Sequence, residues 1–178
     1  MAEKPFMYTD MCERDVYRWQ LDYTMPVIIR DFSAIPQDRL TWRPAAMTRC
    51  AAHIFGHMAV KERVHIGGFL AGVRDIPDKY SVFHSLTHCD PTEKQVLDAM
   101  GSRKELIAYW NQVRAQTHAY LDSITDAILK EVPQKTILPR GDPNRENPAR
   151  EWFVMTIKHQ NMAGGEIHMI RRILESGR

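Results

Sequence analysis

Cysteine is scarce and unpatterned: Cys12, Cys50 and Cys89 are odd in number, far apart and nowhere in a CxxC pair. That argues against a disulfide framework or a thiolate zinc site, and for a reducing compartment. Each cysteine reads as a small core residue rather than a nucleophile. No apolar run approaches the ~20 residues a membrane-spanning helix needs. The opening MAEKPFMYTDMCERD lacks the hydrophobic stretch of a signal peptide. A cytoplasmic protein without a membrane partner is therefore expected. A basic stripe is missing too. The formal charge is +2 and Lys and Arg are scattered among Asp and Glu, which leaves nucleic acid without an electrostatic footprint. There is no internal repeat, no low-complexity tract and no sign of a second domain. Residues 1–178, 44% of them hydrophobic, read as one domain with a substantial core.

What the chain does have is apolar spacing of three and four over four long stretches, and the expected class is all-α. The first helix spans about 9–32, capped by Thr9 or Asp10. Its apolar band is Val16, Trp19, Tyr23, Val27 and the Ile28–Ile29 pair, with a kink at Pro26. The second spans about 47–73 and carries His53, His57 and His65 in a loose sector of one face, beside Ile54, Met58, Lys61 and Val64. Residues 74–90 read as a long crossover, with His84 and His88 assigned no role. Asp90-Pro91-Thr92-Glu93 opens a short helix. Ser102 caps a third long helix to about Ile124, with Leu106, Trp110, Val113, Thr117 and Tyr120 inside. Residues 131–148 are proline-rich and either pack over the mouth of the bundle or are mobile. The fourth long helix, 149–176, has Met155, His159, Met162, Glu166, Ile170 and Ile173 on one stripe. The expected architecture is a four-helix bundle with a long crossover between its second and third long helices.

Histidines on the second helix, facing a His and a Glu on the fourth, are how helical bundles build metal sites. Imidazole nitrogen and carboxylate oxygen suit zinc, iron, nickel or manganese better than calcium or magnesium, and three protein ligands leave a position open for catalysis. A metal-free bundle with satisfied histidines is the other reading of the same residues.

Two blocks carry a family resemblance. TWRPAAMTRCAAHIFGHMAVKERVHIGGFL and IKHQNMAGGEIHMIRRIL resemble those of the DinB-like superfamily of four-helix bundles, whose members include metal-dependent enzymes. The first is similar to that family's Trp-Arg-Pro turn and its helix bearing the first metal-binding histidine, which falls on His57, with a glutamate on Glu62. The second is similar to its closing His-x-x-x-His-x-Gly-Gln-Ile, which places His159, Gly165, Glu166 and Ile167. The departure is Ala163, where the family has its second closing histidine.

The resemblance implies a divalent-metal-dependent enzyme holding Zn, Ni, Fe or Mn. It further implies a thiol-dependent transferase, using a low-molecular-weight thiol against a small electrophile. Hydrolysis by a metal-bound hydroxide follows from the same logic. Glu166 either completes a His57, His159, Glu166 set or pairs with a histidine or arginine, and His53 is another source of a third nitrogen. The alternative function is a decayed, metal-free bundle that binds a small molecule or a protein.

A homodimer is expected, because helix faces left over from bundle packing pair isologously. Light scattering at micromolar concentration should return twice the mass of the chain. A monomer mass would dispose of the dimer.

Overall fold

Long helices carry the fold of a computed structural model that describes residues 11–44, 49–73, 75–84 and 91–177; no strand occurs among them. Helix α1 is Glu13–Ala34 and α2 is Ala51–Glu62, which runs on as a π-helical segment over Arg63–Leu70. Then come α3 (Glu93–Met100), α4 (Arg103–Ser123), the short α5 (Asp126–Leu129) and α6 (Ala149–Glu175). Helix α6 packs along α1 and α2, α2 also packs along α4, and α1 meets α4. The all-α class is as the sequence implies, and no helix of the described residues is long and apolar enough to cross a membrane.

Capping follows the sequence where the cap is local. Thr92 accepts from the backbone N–H of Gln95, whose side chain returns the favour to Thr92 N, a reciprocal capping box at the start of α3. Ser102 accepts from Glu105 N at 3.1 Å and starts α4. The start of α1 is different. Thr9 and Asp10 lie outside the described residues, and Cys12, at the cap position, makes no side-chain cap bond. The carboxylate of Asp126 in α5 takes the orphan N–H groups of Glu13 and Arg14 at 2.9 and 3.2 Å. The turn before α2 is tied to α3: Arg43 Nη2 donates to Pro91 O at 2.6 Å and Thr41 Oγ1 to Glu93 at 2.7 Å.

Two buried faces differ from the sequence expectation. On α1 the buried positions are Tyr17, Leu21, Met25, Ile28, Asp31 and Phe32, while Tyr23 and Val27 of the expected band face solvent, 65% and 42% exposed. On α6 the buried positions are Ala149, Trp152, Phe153, Thr156, Gln160, Ala163, Ile167 and Ile170. Of the expected stripe Ile170 is among these, whereas Met155, His159, Glu166 and Ile173 are half-buried and Met162 is 61% exposed. Thr156 and Gln160 suggest a solvated face by composition, but both are buried because each answers a polar group inside the bundle.

That polar interior is a layer across mid-height. Glu62 is fully buried, and its carboxylate accepts from Arg114 Nε at 2.8 Å, Arg114 Nη2 at 3.0 Å, Trp110 Nε1 at 2.9 Å and Gln160 Nε2 at 2.7 Å. Arg114 Nη2 also donates to Gln160 Oε1, and Nη1 to the carbonyl of Leu21. Burial alone would raise the Glu62 carboxyl, but the adjacent Arg114 guanidinium together with the hydrogen bonds from Trp110 and Thr117 outweighs it, and the group sits below the usual carboxylate range. The layer divides the core. One apolar cluster, with Phe32, Phe55, Met58 and Trp110, lies on one side, and a second, with Leu21, Ile66, Leu121 and Phe153, lies on the other.

The proline-rich connection packs at the end of the π segment. Ile137 N donates to Gly68 O at 3.3 Å, and a Cβ on Gly68 would stand 2.6 Å from Ile137 Cδ1. Gly72, at φ +71°, closes the helix against Lys135.

Removing one partner of a buried ion pair leaves a desolvated charge, at a cost of about 3–5 kcal/mol. Arg114→Met should lower unfolding free energy in urea by that amount, and Glu62→Met/Arg114→Met should recover much of it. A single variant as stable as wild type would show that the layer is structurally idle.

Candidate functional site

Helix α2 presents His53, His57 and His65 inside the protein, at 1%, 1% and 3% exposure. On an ideal α-helix His65 would drift away from His57, being eight residues on. The π segment corrects this, because i→i+5 bonding turns the chain less per residue; Ala71 N reaches Ile66 O at 3.1 Å in this pattern. The Arg63 side chain lies over Gly67, where a Cβ would stand 2.9 Å from Nη1.

Across from α2, His159 of α6 places its ring centre 6.1 Å from His57 and 5.8 Å from His65. The His57–His159 pairing expected across the bundle is thus present. His53 stacks edge-on to His57 at 6.4 Å and lies 6.2 Å from Phe83. Ala163 is buried and offers no donor. Glu166 is elsewhere: Arg49 Nη2 donates to both its oxygens at 2.8 Å, at the partly exposed rim. The structure brings together His57, His65 and His159, and it does not bring Glu166 to them.

The hydrogen bonds fix the tautomers. His57 Nδ1 lies 2.7 Å from the Phe83 carbonyl, which can only accept, so Nδ1 carries the proton and Nε2 presents a lone pair. That Nε2 is buried and has no hydrogen-bond partner among the described residues. The same holds for His159, whose Nδ1 faces the Met155 carbonyl at 3.3 Å. His65 Nδ1 lies 3.0 Å from Thr156 Oγ1. The Thr156 hydroxyl already donates to Trp152 O at 2.7 Å, so it accepts here. All three rings therefore carry hydrogen on Nδ1 and a lone pair on Nε2. Gly56 holds the Phe83 anchor close, since a Cβ there would meet the Phe83 ring at 2.6 Å.

Electrostatics keep these rings neutral. Burial, which the Phe83 carbonyl opposes and nearby Lys61 and Arg49 reinforce, pushes His57 down to about 3. Burial, then Lys61 and the neighbouring imidazoles, push His65 to about 3. His159 is lowered by burial, with Lys61 and Arg49 adding to the effect. His84, given no role from sequence, also lies in the field of Lys61 and is lowered by burial and that charge. Burial raises the Cys50 thiol, which leaves it protonated and inert, as expected of a core residue.

Among the described residues no three His, Cys, Asp or Glu side chains converge closely enough to hold a metal ion as they stand. The donor chemistry of the histidine group nonetheless fits one. A zinc-type ion with nitrogens at ~2.0–2.1 Å sets tetrahedral ring centres roughly 5 Å apart. The observed 6.1 and 5.8 Å exceed that by about 1 Å or less for the two pairs that His159 makes, with His57 and with His65. Sequence reasoning passed over His65 because the π segment that returns it to the site has no clear sequence mark beyond Gly67-Gly68. Thr156 was hidden by its polar character.

A family model described as the DinB superfamily matches residues 20–167, from the first turns of α1 through most of α6. It includes both quoted blocks up to Ile167. No match was found among curated proteins or solved structures.

The depressed imidazoles set a pH dependence. Between about 3 and 6.5 the unfolded chain binds protons that folded His57 and His65 refuse. Stability is therefore fully present above about pH 6.5 and falls as pH drops, by about 1.4 kcal/mol per unit for each histidine. Urea unfolding of chelator-treated protein at pH 7.5, 6 and 5 should show the loss, and His65→Asn should reduce its slope by about half. A flat profile in wild type would mean that the two rings are not held neutral.

Proposed function

The chain belongs to the DinB superfamily, and on that footing we propose that it is a divalent-metal-dependent enzyme, a thiol-dependent transferase acting on a small electrophile. The observation that supports this is the common tautomer of His57, His65 and His159, above all the buried and unpartnered Nε2 of His57. A buried polar atom without a partner is costly, and an ion or a ligand at that point offsets the cost. Nε2 of His57, His159 and His65 would hold the ion, which when bound supplies the acidity that turns a thiol into a thiolate near neutral pH.

The rest is the work of the chain. The Phe83 carbonyl and Thr156 hydroxyl hold His57 and His65 in the ligating tautomer, as outer partners of metal-binding histidines do. Ala163 leaves room beside His159 where a family ligand would stand, and His65 provides the third nitrogen. Glu166 serves the rim by orienting Arg49 rather than the metal. A metal-free binding bundle is the second reading. Ala163 favours it, as does the engagement of Glu166 with Arg49.

Elemental analysis of protein purified without a histidine tag or chelator separates the two. The expected result is near one zinc, nickel, iron or manganese ion per chain, lost in His57→Ala and His159→Ala and kept in Glu166→Gln. Thr156→Val should weaken metal affinity about 10–100-fold. Wild type that stays metal-free after incubation with each ion would retire the enzyme reading in favour of the binding bundle.

A further inference from the structure

Helices α1 and α6 run side by side in the same direction, with Arg150 beside Glu13 at one end and His168 beside Asp31 at the other. Between these ends Gly164 lets them close, since a Cβ there would stand 2.9 Å from Ile28 Cγ1. Toward solvent the two helices leave a groove of about 380 Å³, lined by Tyr23, Val27, Arg30 and Asp31 of α1 and by Gly165 and His168 of α6. That volume suits a small molecule. His168 is two and a half turns from His159, so the groove lies on the opposite side of α6 from the histidine centre.

The two ends of the groove differ in chemistry. At one end the exposed Tyr23 ring stacks on Trp19 at 5.2 Å, and exposed Val27 follows one turn on. A Cβ on Gly165 would meet nothing within 4 Å, so the facing wall is open there. At the other end, about 10 Å along the axis, the buried carboxylate of Asp31 has both oxygens answered. His168 Nδ1 donates to Oδ2 at 2.8 Å, while Arg30 Nε at 3.1 Å and Arg171 Nη1 at 3.2 Å face Oδ1. Exposed Glu175 is shared by Arg171 and Arg172 at 3.5 and 3.3 Å. Three guanidiniums against two carboxylates leave one positive charge over. The surplus is available at Arg30, which is 66% exposed and turns Nε and Nη2 to Asp31, leaving Nη1 for a second carboxylate. Nearby groups do not cancel it. Arg103 answers the carbonyls of Ser33 and Ile35 at the end of α1, and Asp22, next to Tyr23, is turned to His118 and Arg114 of α4.

We propose that this groove is a second binding site, for a small monocarboxylate carried on a flat apolar body. The body lies along Tyr23, Val27 and the bare Gly165, and the carboxylate reaches Arg30. One surplus positive charge balances one negative charge, whereas a dianion would be left half-paired. The site needs nothing from the histidine centre, and no metal takes part in it.

NMR titration of the full chain tests this, with the amides of Gly164 and Gly165 as reporters. The probes are 3-phenylpropionate, 3-phenylpropionamide and acetate. The proteins are wild type, Arg30→Met, Gly165→Leu and His57→Ala, each checked for fold by circular dichroism. Wild type should bind 3-phenylpropionate about fivefold more tightly than its amide, as a partly exposed charge pair gives, and more tightly than acetate. Arg30→Met should bring acid and amide level. Gly165→Leu, which fills the open wall, should weaken both about tenfold or more, and His57→Ala should change neither. Equal binding of acid and amide by wild type overturns the proposal, as does acetate binding as tightly as 3-phenylpropionate. So does acid binding that is unchanged in folded Arg30→Met or Gly165→Leu. Loss of binding in folded His57→Ala would place the carboxylate at the histidine centre and overturn it too. A wild-type dimer that Gly165→Leu splits, with no shift from 3-phenylpropionate, would give the groove to a second copy of the chain instead.

Discussion

A carboxylate with no access to water needs every lone pair answered, and Glu62 draws its answers from the whole bundle. Arg114 and Trp110 come from α4 and Gln160 from α6. Through Arg114 the same network reaches the Leu21 carbonyl of α1. A slip of any one long helix by a turn would strand a buried charge, donor or carbonyl. Burying such a pair contributes little net stability compared with an apolar packing of the same volume. What it contributes here is register, because apolar stripes tolerate a slide that a directional network does not. The two hydrophobic clusters on either side of the layer supply the driving force, and the layer settles how the helices align.

The site depends on that alignment at one further point. Glu62 is the last residue of the regular part of α2, and the π winding begins at Arg63. Between them, the fixed Glu62 and the looser winding after it bring His65 back beside His159. Gln160, adjacent to His159 in sequence, anchors α6 on Glu62, so it sets the height at which His159 meets His57. Thr156, one turn earlier, is the acceptor for His65. The residues that lock the bundle and those that aim the imidazoles are interleaved on a single face of α6.

That interleaving explains what could be read from the residues alone. A local signal carried through, since Ser102 caps the helix it precedes, and a spacing signal did too, since His57 meets His159. The faces of α1 and α6 did not, for a physical reason. On α6 two stripes at helical spacing compete. The one that is buried contains Thr156 and Gln160, polar residues whose burial makes sense only once Glu62 and His65 are known to lie opposite. The cap of α1 was equally out of reach, since Asp126 lies more than 110 residues from the N–H groups it satisfies. Burial decided by a distant partner leaves no periodic trace.

Charge accounts for the way this chain departs from the family pattern. An imidazole is absent at Ala163, and a carboxylate follows at Glu166, but that carboxylate neutralises Arg49 at the rim rather than entering the centre. The carboxylate that would have raised the neighbouring imidazoles stays at the rim. Burial, with Lys61 adding to it, therefore keeps His57, His65 and His159 neutral, and their ring nitrogens keep lone pairs that a protonated ring could not offer.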